Sequence, residues 1–293
     1  MLAIIDFRKP LAEGWMGMER HTRVYPAEKR GQGWLSGLLL FLSAAVVLSG
    51  LVWRERPSDL SIQAVATATP IPLDSAFDET PAQEELTLPG ATWYALQLGA
   101  FENEAAARQI SEQYARRGAA GYVWHDNRYR ALAALYATQE DAQNVRVQLE
   151  KRYSIDTYLY PVELPAIRVR LSGMRGQLDI LQAAFVHGGD LIGQLQRLSV
   201  SLDRQEANAQ EAVQTLQTLR EQVEAVALRL KQRFASPRHP AVEGLVACME
   251  DYTAFCAALD PQESNVSLSA RVKRQAFQSL ELLKRVYDSL SYT

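Results

Sequence analysis

The chain repeats itself. Sliding residues 93–124 forward by 35 positions matches Leu96 with Ala131, Gly99 with Ala134, Phe101 with Tyr136, Ala107 with Ala142, Ile110 with Val145 and Tyr114 with Leu149. Each copy opens on a strand-like run, Tyr94–Ala100 or Tyr129–Leu135, and meets a polar residue suited to cap a helix, Asn103 or Thr138. Apolar residues at three- and four-residue spacing then predict a helix. Thr138 with Asp141 reads as a variant capping box. A second strand is expected in each copy, near Ala120–Trp124 and near Ile155–Tyr160, and the turn-forming residues 125–128, "HDNR", join the copies. Two βαβ halves of this length predict a βαββαβ ferredoxin-like unit, with four strands in one sheet and both helices on one face.

The other face of such a sheet is free, and strand alternation decides what occupies it. Leu96 and Leu98 are expected to face the helices, which leaves Trp93, Ala95, Gln97, Gly99 and Phe101 on the open side. On the third strand Tyr129, Ala131 and Ala133 are expected inward, with Arg130, Leu132 and Ala134 outward. Gln97 is thereby explained as an outward polar residue beside Arg130.

These residues carry a resemblance. "YALQLGAFENEAAARQI", "YRALAALYATQEDAQNV" and "IDTYLYPV", within residues 92–163, resemble the SPOR domain, a peptidoglycan-binding module first noted in sporulation and cell-division proteins. The resemblance implies binding of glycan strands stripped of their stem peptides, on the open sheet face. Gln97, Gly99, Tyr129 and Arg130 match the family motif, and Trp93 is placed to stack on a sugar ring. Glutamine and arginine supply hydrogen bonds to hydroxyls and lactyl carboxylates, the arginine as a two-pronged donor. Two positions depart from the family. Ala134 stands where a glycine is usual and Leu132 where a polar residue is common, so the face is more apolar. Such a face also suits docking of a protein helix, including one of the chain's own.

The architecture around the repeat fits an envelope protein. From Trp34 to Trp53 the sequence runs 20 residues without a charge, roughly the 30 Å of a bilayer's hydrocarbon core. A tryptophan marks each end, and Arg20, Arg23, Lys29 and Arg30 precede the run against Arg54 and Arg56 after it. This predicts an uncleaved transmembrane anchor with a cytoplasmic tail, residues 1–33, and everything after Trp53 outside. Residues 54–90 hold five prolines and seven acids against two arginines, which predicts a disordered linker. As a flexible coil it would span roughly 30 to 35 Å. The repeat unit then occupies residues 91–164.

From residue 165 to 293 a helical domain is expected. An amphipathic helix over 166–187 is followed by the helix-weakening pair Gly188-Gly189. A heptad-spaced seam from Leu191 to Leu230, interrupted only by Gln205, predicts one long helix from Asp190 to Phe234. Two shorter helices, about 241–259 and 266–290, are long enough together to fold back along it as a bundle. The competing arrangement is a parallel homodimer through the seam. The fold class expected is thus α+β followed by an all-α bundle or coiled coil.

Catalysis is not expected. The four histidines, His21, His125, His187 and His239, are scattered over a tail, a turn and two helix breaks, and no phosphate loop or nucleophile elbow occurs. No catalytic residue, metal ligand or cofactor is therefore assigned. No segment is basic enough for nucleic acid. Cys248 and Cys256 sit eight apart on one expected helix, too far to bridge each other, and read as buried apolar residues. The reading that results is a membrane-anchored, non-catalytic envelope protein acting at a division or sporulation septum. Its binding residues are Trp93, Gln97, Gly99, Tyr129, Arg130 and Leu132, its ligand is denuded peptidoglycan, and septal proteins are candidate partners of the helical domain. A scaffold that contacts only proteins is the alternative.

Overall fold

The computed structural model describes residues 3–6, 78–234 and 238–291. The expected membrane span and residues 54–77 of the expected linker lie outside them. Among the described residues no helix is long and apolar enough to cross a membrane.

The repeat folds as its pattern predicts. Strand β3 (Ala91–Phe101) leads to α1 (Glu104–Ala115) and β4 (Tyr122–His125), then β5 (Tyr129–Tyr136), α2 (Gln139–Tyr153) and β6 (Tyr158–Leu164). The sheet order β4-β5-β3-β6 is that of the split βαβ fold. Both caps form: Asn103 accepts from the Ala106 N–H at 2.8 Å and Thr138 from the Asp141 N–H at 3.1 Å. Leu96, Ala133, Ala134, Tyr136 and Ala142 make the small core under the two helices.

Two further strands correct the expected boundaries. Residues Pro81–Leu88 of the expected linker form β2, and Ile167–Met174, expected as helix, form β7. They pair antiparallel from Pro81↔Met174 to Leu88↔Ile167. The period-two signal is present in "IRVRL": Ile167, Val169 and Leu171 are buried between exposed Arg168 and Arg170. In effect β2–β3 and β6–β7 are one two-stranded ribbon, bent where Pro89-Gly90 faces Pro165-Ala166. A proline lacks the N–H that a continuous ladder needs, so the bend falls there. Residues Ala3–Asp6 (β1) pair in parallel with the other edge of β7.

The remaining chain is a four-helix bundle of α3 (Arg175–Asp203), α4 (Ala209–Arg233), α5 (Pro240–Ala257) and α6 (Asn265–Ser291). Bonds at opposite ends fix an up-down-up-down order. Gln177 near the start of α3 donates to the Arg233 carbonyl at 2.9 Å, and Gln217 on α4 donates to the Cys256 carbonyl at 3.1 Å. Ser269 near the start of α6 donates to Asp203 at the end of α3 at 2.6 Å. The intramolecular bundle is therefore the arrangement observed, with two corrections. The Gly188-Gly189 pair does not end a helix, because α3 runs through it. The expected single helix from Asp190 to Phe234 is instead a hairpin: the chain reverses at Gln205, which adopts φ +59°, and Asn208 with Glu211 forms a reciprocal capping box for α4. Cys248 and Cys256 are both buried and unbridged, and burial pushes the Cys248 thiol up to about 12.

Candidate functional site

The sheet face opposite α1 and α2 is the candidate site, and the chain's own bundle covers most of it. Directly paired residues point to one side of a sheet, so the register places Trp93, Ala95 and Gln97 of β3 together with Val162, Tyr160 and Tyr158 of β6. Arg130 and Leu132 of β5, with Trp124 and Tyr122 of β4, complete the face. Ala95 and Leu132 are both 0% exposed and belong to the core shared with the bundle. Trp93 reaches α3, where a Cβ on Gly193 would lie 3.9 Å from its ring.

Helix α6 is bolted down by specific contacts. The Tyr122 and Phe277 rings stack with centroids 5.5 Å apart, and the Tyr122 hydroxyl donates to the Glu281 carboxylate. Burial first, then that hydrogen bond, push the Tyr122 phenol well above its usual range, so it remains a donor. Lys273, itself buried, bridges the Gly118 carbonyl at 2.7 Å and Asp203. Arg274 donates to the carbonyls of Ala120 at 3.1 Å and Gly121 at 2.8 Å. Gly121 has φ +58°, and a Cβ there would lie 2.6 Å from Ala115 Cβ, so only glycine fits the turn that Arg274 grips.

Among the described residues the bundle leaves the far end of the face uncovered, and that end is polar. Arg130 Nη1 donates to Gln97 Oε1 at 2.8 Å, and its Nε donates to Asp126 Oδ2 at 2.9 Å. The guanidinium lies 4.4 Å from the Tyr160 ring centroid, and the Tyr160 hydroxyl donates to Asp126 at 2.8 Å. Burial would raise the Asp126 carboxyl, but the Arg128 N–H, the bonds from Arg130 and Tyr160 and the Arg130 charge together hold it below the usual range. Burial and the bond to Asp126 push the Tyr160 phenol up to about 12. Tyr158, beyond them, is 62% exposed.

The structure thus brings together Trp93, Gln97, Arg130 and Leu132, but not all of them in the open. Leu132 and Trp93 pack on the bundle; Gln97 is buried behind Arg130. Tyr129 lies on the opposite face, as its alternation with Arg130 predicts, whereas Gly99 and Ala134 lie there against that prediction. The cause is a pair of irregularities in the β3–β5 ladder, where the register runs Leu96↔Ala134, Gln97↔Leu132, Gly99↔Ala131 and leaves Leu98 and Ala133 unmatched. Each such bulge reverses the alternation. Gly99 therefore shares a side with Phe101, whose ring would lie 2.8 Å from a Cβ there, and with Tyr129, which stacks on His125 at 4.3 Å. Sequence reasoning missed Asp126, Tyr158 and Tyr160. The alternation of Tyr158, Tyr160 and Val162 was the available signal for β6.

Beside Tyr160 the ribbon bend and the end of α6 enclose a cleft of about 530 Å³, lined by residues 90–92, Trp124, residues 160–165, Lys284 and Asp288. Among the described residues no group of three or more His, Cys, Asp or Glu is placed to hold a metal ion.

No curated protein and no solved structure matches the chain. A family model does match residues 89–158, which run from the ribbon bend to the start of β6. With the repeat, the sheet order and that match in agreement, this segment of the chain is a SPOR domain.

Proposed function

We propose that the chain is a membrane-anchored envelope protein that holds peptidoglycan glycan strands at the uncovered end of its SPOR sheet, at sites of division or of the sporulation septum. A SPOR domain implies peptidoglycan binding and an association with cell division. The observation that carries the reading is the Arg130 cluster. It places a partly exposed guanidinium, held by Asp126 and Gln97, beside an exposed tyrosine at the end of the face that, among the described residues, the bundle does not cover. The test is co-sedimentation of the full chain in detergent with sacculi, before and after an amidase strips the stem peptides. Binding should rise after stripping and fall in Arg130→Ala; absence of sedimentation in both states overturns the reading.

Anchoring is tested separately. A single inserted span at residues 34–53 would put residues 3–6 across the membrane from β7, with which they pair in the structure. An Ala12→Cys variant should resist a membrane-impermeant thiol reagent that labels Thr293→Cys. Labelling of both overturns the inserted span.

A second reading, a scaffold without sugar contact, is favoured by the complete burial of Ala95 and Leu132. Six large side chains of the sheet, Tyr122, Trp124, Leu132, Leu135, Val162 and Leu164, belong to or pack on the shared core. Exposing them would cost on the order of 10 kcal/mol, so the covered part of the face serves as a permanent docking surface.

A further inference from the structure

We propose that the outer edge of β7 is a strand-acceptor site for an extended segment of an extracytoplasmic partner protein, apolar at alternate positions and acidic between them. The edges of the two sheets are unequal. β4 is four residues long, β6 carries Pro161, and β2 carries Pro81 with Glu84 and Glu85. Shortness, proline and charge keep a stray strand from pairing with an edge. β7 runs eight residues without a proline, and residues Ala3–Asp6 pair with its outer edge, in parallel from Ala3↔Val169 to Asp6↔Ser172. The edge therefore accepts an added strand. The proposal rests on the anchored reading for one point: with residues 34–53 inserted, β1 lies across the membrane, and this edge is vacant where other envelope proteins can reach it.

The side chains of β7 decide what the incoming strand must carry. Val169 and Leu171 are buried in the shared core, 0% and 2% exposed, and Arg168 and Arg170 alternate with them in solvent. Side chains of a strand laid alongside fall into the same two files. Apolar residues beside Val169 and Leu171 continue the core outward. On the solvent side Arg168 pairs with Glu85 at 3.4 Å, although Glu85 stands opposite Arg170 in the ladder. Among the described residues no carboxylate pairs with Arg170, so an acid on the added strand gives it a cross-strand partner. The same arginines exclude a second copy of β7. Laid antiparallel about Val169, two such strands would set Arg168 of each against Arg170 of the other, and like charges directly opposite repel. Main-chain hydrogen bonds along the edge supply affinity, and the alternate side chains supply selectivity.

The experiment is a fluorescence-anisotropy titration of the full chain, reconstituted in lipid vesicles with residues 54–293 outside, against a labelled eight-residue peptide alternating isoleucine and glutamate. A peptide with lysine in place of glutamate is the control. The glutamate peptide should bind and the lysine peptide should not. Arg170→Glu should weaken the glutamate peptide tenfold or more and admit the lysine peptide, with the melting temperature unchanged. Equal binding of the glutamate peptide by Arg170→Glu overturns the acceptor site. A second variant, Ile4→Pro/Ile5→Pro, separates this proposal from the anchored reading. Adjacent residues of a strand point their N–H groups to opposite sides, so one of the two prolines removes a donor that β1 needs to pair with β7. Equal affinity of this variant and the unaltered chain supports both readings. Binding by this variant alone supports the acceptor site and sinks the anchored reading, because residues 3–6 then fill the edge of the unaltered chain. Binding by neither overturns the acceptor site and leaves the anchored reading intact.

Discussion

Tyr122 of the SPOR sheet and Phe277 of the bundle stack with their planes 14° from parallel. That contact lies inside one continuous apolar core that runs from Leu86 to Leu290, so the two parts should unfold as one body. Phe277 is fully buried, and Phe277→Ala should cost about 3–5 kcal/mol. In calorimetry the variant should show a single transition at lower temperature. Two separate transitions in the unaltered protein would show that sheet and bundle are independent.

Lys273 and Asp203 meet at 2.7 Å, with the lysine also bound to the Gly118 carbonyl. Lys273→Met removes the charged donor from the Gly118 carbonyl and leaves Asp203 with its Ser269 bond and solvent, and should destabilise the protein by ~1–3 kcal/mol. Asp203→Asn in the same chain should add less than its separate effect, because the shared contact is already lost. Strict additivity in denaturant unfolding would remove this pair from the account.

Two glycines predict opposite outcomes. A Cβ at Gly244 would lie 2.5 Å from Val286 Cγ2, where α5 crosses α6, so Gly244→Ala should destabilise by about 1–3 kcal/mol. Gly189 lies within α3 and has nothing within 4 Å of its added Cβ, so Gly189→Ala should stabilise by roughly 0.5–1 kcal/mol. Melting temperatures moving in the same direction would contradict the helix packing described.

His187 titrates against the fold. Burial lowers its pKa, with Asp190 opposing weakly. The folded protein therefore binds fewer protons than the unfolded chain, in which histidine titrates near ~6.5. The stability is complete above that pH and is lost as the pH falls through the folded value. The melting temperature should drop between pH 7.5 and 5, and His187→Gln should reduce the drop. An identical pH profile in the variant would assign the effect elsewhere.

Much of the SPOR unit was legible because its grammar is local. Caps at Asn103 and Thr138, and a 35-residue repeat of strand and helix, need no knowledge of what packs where. Ile167 to Leu171 was misread because Ile167, Leu171, Met174 and Leu178 also satisfy a helical period, and only the arginines at 168 and 170 reveal the alternation. The reversal at Gln205 left one polar residue in a seam as its trace. The bulges at Leu98 and Ala133 have no compositional mark, and they decided the faces of Gly99 and Ala134. The covered face was half visible, since Leu132 announced an apolar sheet, but which helix would cover it depends on contacts 155 residues apart in sequence, such as Gly118 with Lys273.

The bent ribbon has a mechanical meaning. In an anchored chain that holds the wall through β6, a pull from the membrane enters at Pro81 and travels along β2 and β3. It then crosses to β6 over the pairs from Ala91↔Leu164 to Gln97↔Tyr158. Those strands are drawn lengthwise past each other, so all the cross-strand bonds resist at once instead of opening in turn. The four-helix bundle stands beside that path and, through the shared apolar core, braces the strap that takes the tension.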